Sequence, residues 1–119
     1  MTLEVRKALT LEEIARLLEA VMFCGKDFSV RVSEVAAADM MSDVLALSKP
    51  GMLLLTGLVS LQVIRTAVVS DLGAIVFVRG KNPGKEILDL AKESGVPVLG
   101  TSMTMFQAAG VLYEAISAR

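Results

Sequence analysis

Three strand-and-helix units follow one another from Met52 onward, and this order constrains the fold more than any other feature of the chain. In each unit a short apolar run is followed by a segment whose apolar residues recur at helical spacing. The predicted strands are residues 52–55, 74–78 and 96–99. Parallel strands that follow each other need a covering helix between them, so this order favours right-handed crossovers. We therefore predict an α/β fold in three layers, a mostly parallel sheet with helices on both faces.

Two capping boxes mark the first and the last predicted helix. In Thr10-Leu-Glu-Glu13 and in Thr104-Met-Phe-Gln107, the threonine hydroxyl is placed to accept a hydrogen bond from the amide three residues later. The side chain of that later residue, Glu13 or Gln107, is placed to accept the amide of the threonine. Two further helices are predicted at residues 60–72 and from residue 82 to residue 95, where glycine and proline supply the end signals.

The N-terminal third is less regular. An apolar run at residues 20–24 predicts a short strand, and alternating polar and apolar residues at 29–35 predict a half-exposed strand. Asp39 is placed to cap a helix that runs to about residue 47. The last strand, at residues 96–99, is expected near an edge of the sheet, because Pro97 has no amide to donate. We expect one domain over residues 1–119.

Charge and composition exclude several classes of function. The 12 basic and 13 acidic residues form no basic block and the net charge is -1, so nucleic acid is not an expected partner. The chain has no histidine and one cysteine, Cys24, which excludes a Cys-His nucleophile and a His-containing metal site. No metal or other cofactor is expected. Charged residues interrupt the N-terminus where a signal peptide would be apolar, so the cytoplasm is the expected location.

The chain is apolar, at 54% hydrophobic residues, but its pattern does not favour a membrane span. A spanning helix needs about 20 mostly apolar residues. The uncharged stretch between Lys49 and Arg65 is shorter than that, and the one between Glu93 and Glu114 is broken by glycine and proline.

The apolar excess instead predicts a contact surface. The helix at residues 60–72 carries only Arg65 and Asp71 as charges, so it should be buried nearly all round, and one short domain offers limited cover for it. We predict a homodimer with two-fold symmetry, in which the second copy supplies that cover.

Polar residues follow each of the three predicted strands of the parallel sheet. Ligands of open α/β sheets bind outside the carboxyl ends of the strands, where helix N-termini offer amides to anions. A small anionic ligand is therefore predicted among Thr56, Ser60, Arg79 and Thr101. The alternative left open is that these are ordinary loop and cap residues.

The stretch Asp39-Met-Met-Ser42-Asp43-Val-Leu-Ala46, followed by Pro50-Gly51 and a buried strand that ends in threonine, resembles the signature of the DRTGG domain family. The order of the later segments agrees with it, and the resemblance covers most of the chain. It implies a fold like those of the N-terminal domains of HPr kinase/phosphorylase and of Mur ligases. It also implies a non-catalytic regulatory or oligomerisation module that acts through contacts with a protein partner, with Asp39, Ser42 and Asp43 as family signature residues. The chain lacks the Asp-Arg-Thr-Gly-Gly motif between Lys26 and Ala38.

The resemblance to part of a kinase raises the question of phosphoryl transfer. That chemistry needs a glycine-rich loop that ends in Gly-Lys-Ser/Thr. The nearest segment is Gly80-Lys-Asn-Pro-Gly-Lys-Glu86, in which Pro83 removes an amide and Glu86 replaces the hydroxyl ligand of magnesium. We expect neither kinase activity nor tight binding of ATP.

A small metal-dependent enzyme is the rival hypothesis. Asp39 and Asp43 are four residues apart, so on a helix they would share a face and could bind a divalent cation. The alternative is that both residues are there because they lie at the start of a helix, where a carboxylate can cap amides and is stabilised by the positive end of the helix dipole.

Overall fold

The computed structural model describes residues 7–25 and 29–117. Its strands form one five-stranded sheet and a separate two-stranded sheet. In chain order the strands are β1 (Leu9–Thr10), β2 (Val21–Cys24), β3 (Arg31–Val32), β4 (Val35–Ala37), β5 (Leu53–Thr56), β6 (Ala74–Phe77) and β7 (Val98–Gly100). The larger sheet has the order β2-β7-β6-β5-β4, in which β4 to β7 are parallel and β2 pairs antiparallel with β7. The small sheet pairs β1 with β3.

Helices cover both faces of the larger sheet. They are α1 (Leu11–Leu17), α2 (Met41–Leu47), α3 (Leu61–Val69), α4 (Gly84–Ser94) and α5 (Met105–Ser117). Leu53, Leu55 and Val76 point into a core with α1 and α5, and their neighbours Leu54 and Ile75 point into a core with α2, α3 and α4. Both faces of each central strand are thus buried, which explains why these strands read as continuous apolar runs. The predicted three-layer α/β fold with a mostly parallel sheet is confirmed.

The last predicted strand lies near an edge of the larger sheet, as expected, but it does not form the edge itself. β7 lies inside the sheet, between β6 and β2. Pro97 precedes the strand, and the pairing of β7 with β2 begins at the next residue, so the missing amide removes no bond from the ladder. The Pro97 carbonyl still accepts a hydrogen bond from the amide of Ile75, at 2.9 Å.

The prediction of one continuous strand at residues 29–35 is wrong. The chain changes sheets within this segment: β3 pairs with β1, and β4 joins the larger sheet beside β5. The alternating residues 29–35 include all of β3 but only the first residue of β4, whose sequence is Val-Ala-Ala, so the alternation does not reveal the change of partner.

The helix ends follow the local signals in most places. The Thr10 and Thr104 capping boxes both form, with the Thr10 hydroxyl accepting the Glu13 amide at 3.0 Å and the Thr104 hydroxyl accepting the Gln107 amide at 3.2 Å. α4 ends at Ser94, and Gly95 caps it with a left-handed backbone at φ 70°. α3 ends three residues earlier than predicted. Within the described ranges, no helix is long and apolar enough to cross a bilayer.

Candidate functional site

The loop that follows β5, residues 57–60, is held between charged side chains from its two neighbouring strands. We call it the Gly57 loop. From the β4 side, Oδ1 of Asp39 accepts the amide of Gly57 at 2.7 Å. From the β6 side, Nζ of Lys81 donates to the Gly57 carbonyl at 2.6 Å. One residue is therefore clamped by a carboxylate and an ammonium group at the carboxyl edge of the sheet.

Arg79 lies directly over the same residue. A Cβ atom at Gly57 would come 2.8 Å from Nη2 of Arg79, so the guanidinium occupies the space above the glycine backbone. The Arg79 backbone is left-handed, with φ 62°. Its amide donates to the Met103 carbonyl at 2.8 Å, and the next amide, of Gly80, donates to the Thr101 carbonyl at 2.8 Å. These two bonds join the loops after β6 and β7 and fix the place from which Arg79 reaches the Gly57 loop.

The prediction that Asp39 caps α2 is wrong. The residue at the cap position is Met40, no side chain caps the helix, and Asp39 lies outside it. Its Oδ1 instead accepts the Gly57 amide and, at 3.2 Å, the hydroxyl of Thr56. Asp39 therefore does not share a helical face with Asp43, which sits exposed in the first turn of α2 beside the exposed Ser42. These bonds join residues that are 17 and 18 positions apart, which a local cap rule does not detect.

The hydroxyls of Thr56 and Thr101 are both turned inward. Thr56 is fully buried, and its Oγ1 donates to Asp39 and accepts the Leu58 amide at 3.1 Å. Thr101 is 2% exposed, and its Oγ1 donates to the Leu18 carbonyl at 2.6 Å and accepts the Met103 amide at 3.2 Å. These two predicted site residues organise the loops at the strand ends through their hydroxyls.

Ser60, the fourth predicted site residue, is the N-cap residue of α3, but its side chain makes no capping bond. Its Oγ is buried without a hydrogen-bond partner among the described residues. The first-turn amides of α3 are therefore not capped by this side chain. The structure brings Thr56, Ser60 and Arg79 around the Gly57 loop, whereas Thr101 supports the neighbouring loop. Lys81 was missed by sequence reasoning, although it follows a predicted strand at a distance of two residues from Arg79.

The carboxylates and the single cysteine are further candidates for metal and nucleophile chemistry. In the part of the chain that the structure describes, no group of three or more cysteine, aspartate or glutamate side chains could hold a metal ion. Burial raises the pKa of the Cys24 thiol above its ordinary value, so the group stays protonated at neutral pH. Its Sγ donates to the carbonyl of Val96 at 3.6 Å.

Comparison with known proteins places these features in a family. A family model described as "DRTGG domain" matches residues 13–115. Among solved structures, the chain is similar to the CBS and DRTGG domains of the regulatory region of Clostridium perfringens pyrophosphatase, a crystal structure in complex with the activator diadenosine tetraphosphate. The TM-score is 0.69 at 19% identity, and the match covers 91% of this chain. It covers 47% of the other chain, so this chain spans about half of its length. Among curated protein sequences, none is similar enough to count as a relative.

Proposed function

The chain belongs to the DRTGG domain family, and from this premise we propose that it is a non-catalytic regulatory module. In this proposal it binds a small anionic ligand at the Gly57 loop and acts through contacts with protein, including a second copy of itself. The observation that supports ligand binding is that two cationic side chains, Arg79 and Lys81, lie against Gly57 at the carboxyl edge of the sheet. The similar solved structure, from the regulatory region of another protein, supports the regulatory role.

The charges at the Gly57 loop favour an anion. Arg79 and Lys81 contribute two positive charges, whereas Asp39 contributes one negative charge. Oδ1 of Asp39 already accepts two hydrogen bonds, from the Thr56 hydroxyl and the Gly57 amide. The N-terminal end of α3 follows the loop and carries the positive end of a helix dipole. The amides of Leu61 and Gln62 in its first turn, which the Ser60 side chain leaves uncapped, can donate to a phosphate or a carboxylate.

A titration with inorganic phosphate, followed by amide NMR, tests the ligand site. We expect shifts at the Gly57 loop, at the first turn of α3 and at Gly80. The double variant Arg79→Gln/Lys81→Gln should lose these shifts, because it removes both cations. Lys92→Gln, a single-charge control in the last turn of α4, should keep them, since that turn lies at the far end of its helix. Unshifted amides at the Gly57 loop in the unmodified protein, or shifts that persist in the double variant, would contradict the site.

The turn before α4 supports the non-catalytic part of the proposal. Asn82 Oδ1 accepts the amide of Gly84 at 2.9 Å, and the residue between them is Pro83, which has no amide. This segment therefore offers few of the free amides that cradle the phosphates of a nucleotide. Isothermal calorimetry with magnesium-ATP should show no binding in the micromolar range, and a phosphorylation assay should show no transfer to protein serine.

Self-association is the second part of the proposal. Several large apolar side chains are exposed in the described chain: Met40, Leu45 and Leu47 at α2, Val68 and Val69 on α3, Phe106 and Tyr113 on α5, and Leu17 and Val21 in the N-terminal third. Contiguous exposed apolar surface is typical of protein contact sites. Sedimentation equilibrium at high micromolar concentration should give the mass of a dimer.

A further inference from the structure

The outward face of α5 carries two strongly exposed aromatic side chains. Phe106 is 88% exposed and Tyr113 is 76% exposed. Gly110 lies between them and Ser117 follows, at spacings of four, three and four residues, so these side chains share one face of the helix. The opposite face is buried in the core through Ala108, Leu112 and Ile116.

This face is complementary to itself in an antiparallel arrangement. Phe106 and Tyr113 lie about 6 Å and about 4.5 Å from Gly110 along the helix axis, on opposite sides of it. A two-fold axis through the middle of α5 therefore brings Phe106 of one copy against Tyr113 of the partner subunit, and does so twice. Apart from the neighbouring residues and the backbone of α5 itself, no atom of the described residues lies within 4 Å of the place where a Cβ of Gly110 would be, so a second helix can approach the backbone there.

The charges on α5 are compatible with the same arrangement. Glu114 is the only charged residue of the helix, and it lies on one flank of the aromatic face together with Gln107. In the antiparallel pair, Glu114 falls opposite Gln107 of the partner subunit. Oε1 of Gln107 accepts the amide of Thr104 at 3.0 Å, which leaves the side-chain amide as a donor. The two-fold contact thus places a donor opposite each carboxylate.

A groove beside Tyr113 adds area to the contact. It has a volume of about 320 Å³ and lies between α5 and the edge strand β4; among its lining residues are Val35, Ala37, Ala109, Tyr113 and Ile116. The partner subunit's Phe106 would enter this recess, as aromatic anchors do in stable interfaces. Four aromatic rings bury roughly 600 to 1,000 Å² at about 150–250 Å² each. That is a large share of the roughly 1,200 Å² at which specific interfaces begin.

The exposed apolar side chains of α3 are less suited to a two-fold contact. Half of α3 is already covered by its own core, through Val63 and Ile64, so the helix predicted to need a second copy keeps only Val68 and Val69 exposed among its large apolar side chains. The exposed Arg65 lies on the same helix. It precedes Val68 and Val69 by three and four residues, so a contact along α3 would also have to cover this charge, which costs free energy unless the charge is paired.

We infer that α5 is the dimer contact of this protein, with two copies packed antiparallel about Gly110 and with Phe106 of each seated against Tyr113 of the partner subunit. This inference rests on the self-association proposed above, and it adds the face and the register.

A charge-swap experiment on the full chain tests the face and the register together. Phe106→Lys alone and Tyr113→Glu alone should each weaken the dimer by about 30-fold or more, the effect of losing a central aromatic anchor. An equal mixture of the two single variants should form a heterodimer, because one contact then pairs lysine with glutamate and the other keeps Phe106 against Tyr113. Both residues are largely exposed, so circular dichroism should show unchanged folds. Val69→Lys, a matched charge on α3, should leave the dimer intact.

Sedimentation equilibrium separates the outcomes. A monomeric unmodified protein at high micromolar concentration would overturn both the self-association and this inference. A dimer that survives Phe106→Lys but dissociates in Val69→Lys would overturn the α5 contact alone. Single variants that dissociate but do not recombine when mixed would overturn the antiparallel register. Recombination would support the inference, since a contact without this pairing gives no reason for two monomeric variants to associate.

Discussion

Asp39 joins two strand ends that are distant in sequence. Its Oδ1 accepts hydrogen bonds from Gly57 and Thr56, which are both buried, whereas Asp39 itself is exposed. The carboxylate therefore satisfies two donors that would otherwise lie unpaired below the surface. Unpaired buried donors cost more than the net gain of an ordinary hydrogen bond, so the residue is a structural part of the site as well as a charge within it.

Replacement of Asp39 should separate these two roles. We expect Asp39→Ala to lower the free energy of unfolding by about 1–3 kcal/mol, because it leaves both donors unpaired. Asp39→Asn keeps an acceptor oxygen and should cost less, while it should tighten phosphate binding because it removes the negative charge beside Arg79 and Lys81. Urea denaturation and the phosphate titration measure the two effects. Equal stability of the two variants would show that the hydrogen bonds to Oδ1 contribute little.

Glu13 provides a pH-dependent cap for α1. The hydrogen bond from the Thr10 amide, at 3.2 Å, lowers the pKa of the Glu13 carboxyl below its ordinary value. The folded state therefore favours the carboxylate; the resulting stability is fully present above the unfolded pKa and is lost as the pH falls through the lower, folded pKa. We expect the free energies of unfolding of the unmodified protein and of Glu13→Gln to converge as the pH falls below the unfolded value of about 4.5. The Thr104 box, closed by the uncharged Gln107, serves as the pH-independent comparison. A difference that stays constant with pH would contradict this role.

At the scale of elements, local signals predict where helices and strands occur but not which strands meet. The capping boxes, Gly95 and the buried strands were all readable within a few residues, because caps and double-sided burial depend on neighbouring positions. The position of β7 depends on β2, which lies at the other end of the chain, and the division of residues 29–35 depends on two different sheets. The link between Asp39 and the Gly57 loop is of the same kind. Such contacts are determined by tertiary packing, which the sequence pattern does not encode locally.

Gly110 lowers the stability of α5, and this effect can be measured. Glycine inside a helix costs about 0.5–1 kcal/mol relative to alanine, and a Cβ at Gly110 would meet no atom of the described residues outside its own helix. Gly110→Ala should therefore stabilise the monomer by about that amount, while the added methyl group should weaken a dimer that packs on this position. Gly95→Ala, at a left-handed C-cap with φ 70°, should instead destabilise the protein. Urea unfolding of dilute protein and sedimentation equilibrium measure the two quantities. A dimer strengthened by Gly110→Ala would argue against close packing there.

At the scale of the whole molecule, the larger sheet separates two cores that share its central strands. β5 and β6 are buried along their full length and contribute to both cores, whereas β1 and β3 are short and lie in a separate small sheet. Local opening should therefore begin outside the larger sheet. We expect the amides of β5 and β6 to exchange hydrogen only through global unfolding, and those of β1 and β3 to exchange much faster. Native-state hydrogen exchange at several urea concentrations measures this order; equal protection of both sheets would contradict it.

The bond from the Thr101 hydroxyl to the Leu18 carbonyl has a consequence for how the chain is made. It joins positions 83 residues apart, and β2 likewise depends on β7 for its place in the sheet. During synthesis at roughly 5–20 residues per second, Leu18 is translated about 4 to 17 s before its partner Thr101. The strands from β4 to β6 meet in the order in which they are translated, so they can assemble meanwhile. α1 and β2, with the apolar surface that they later bury, are thus the part of the nascent chain most in need of a chaperone.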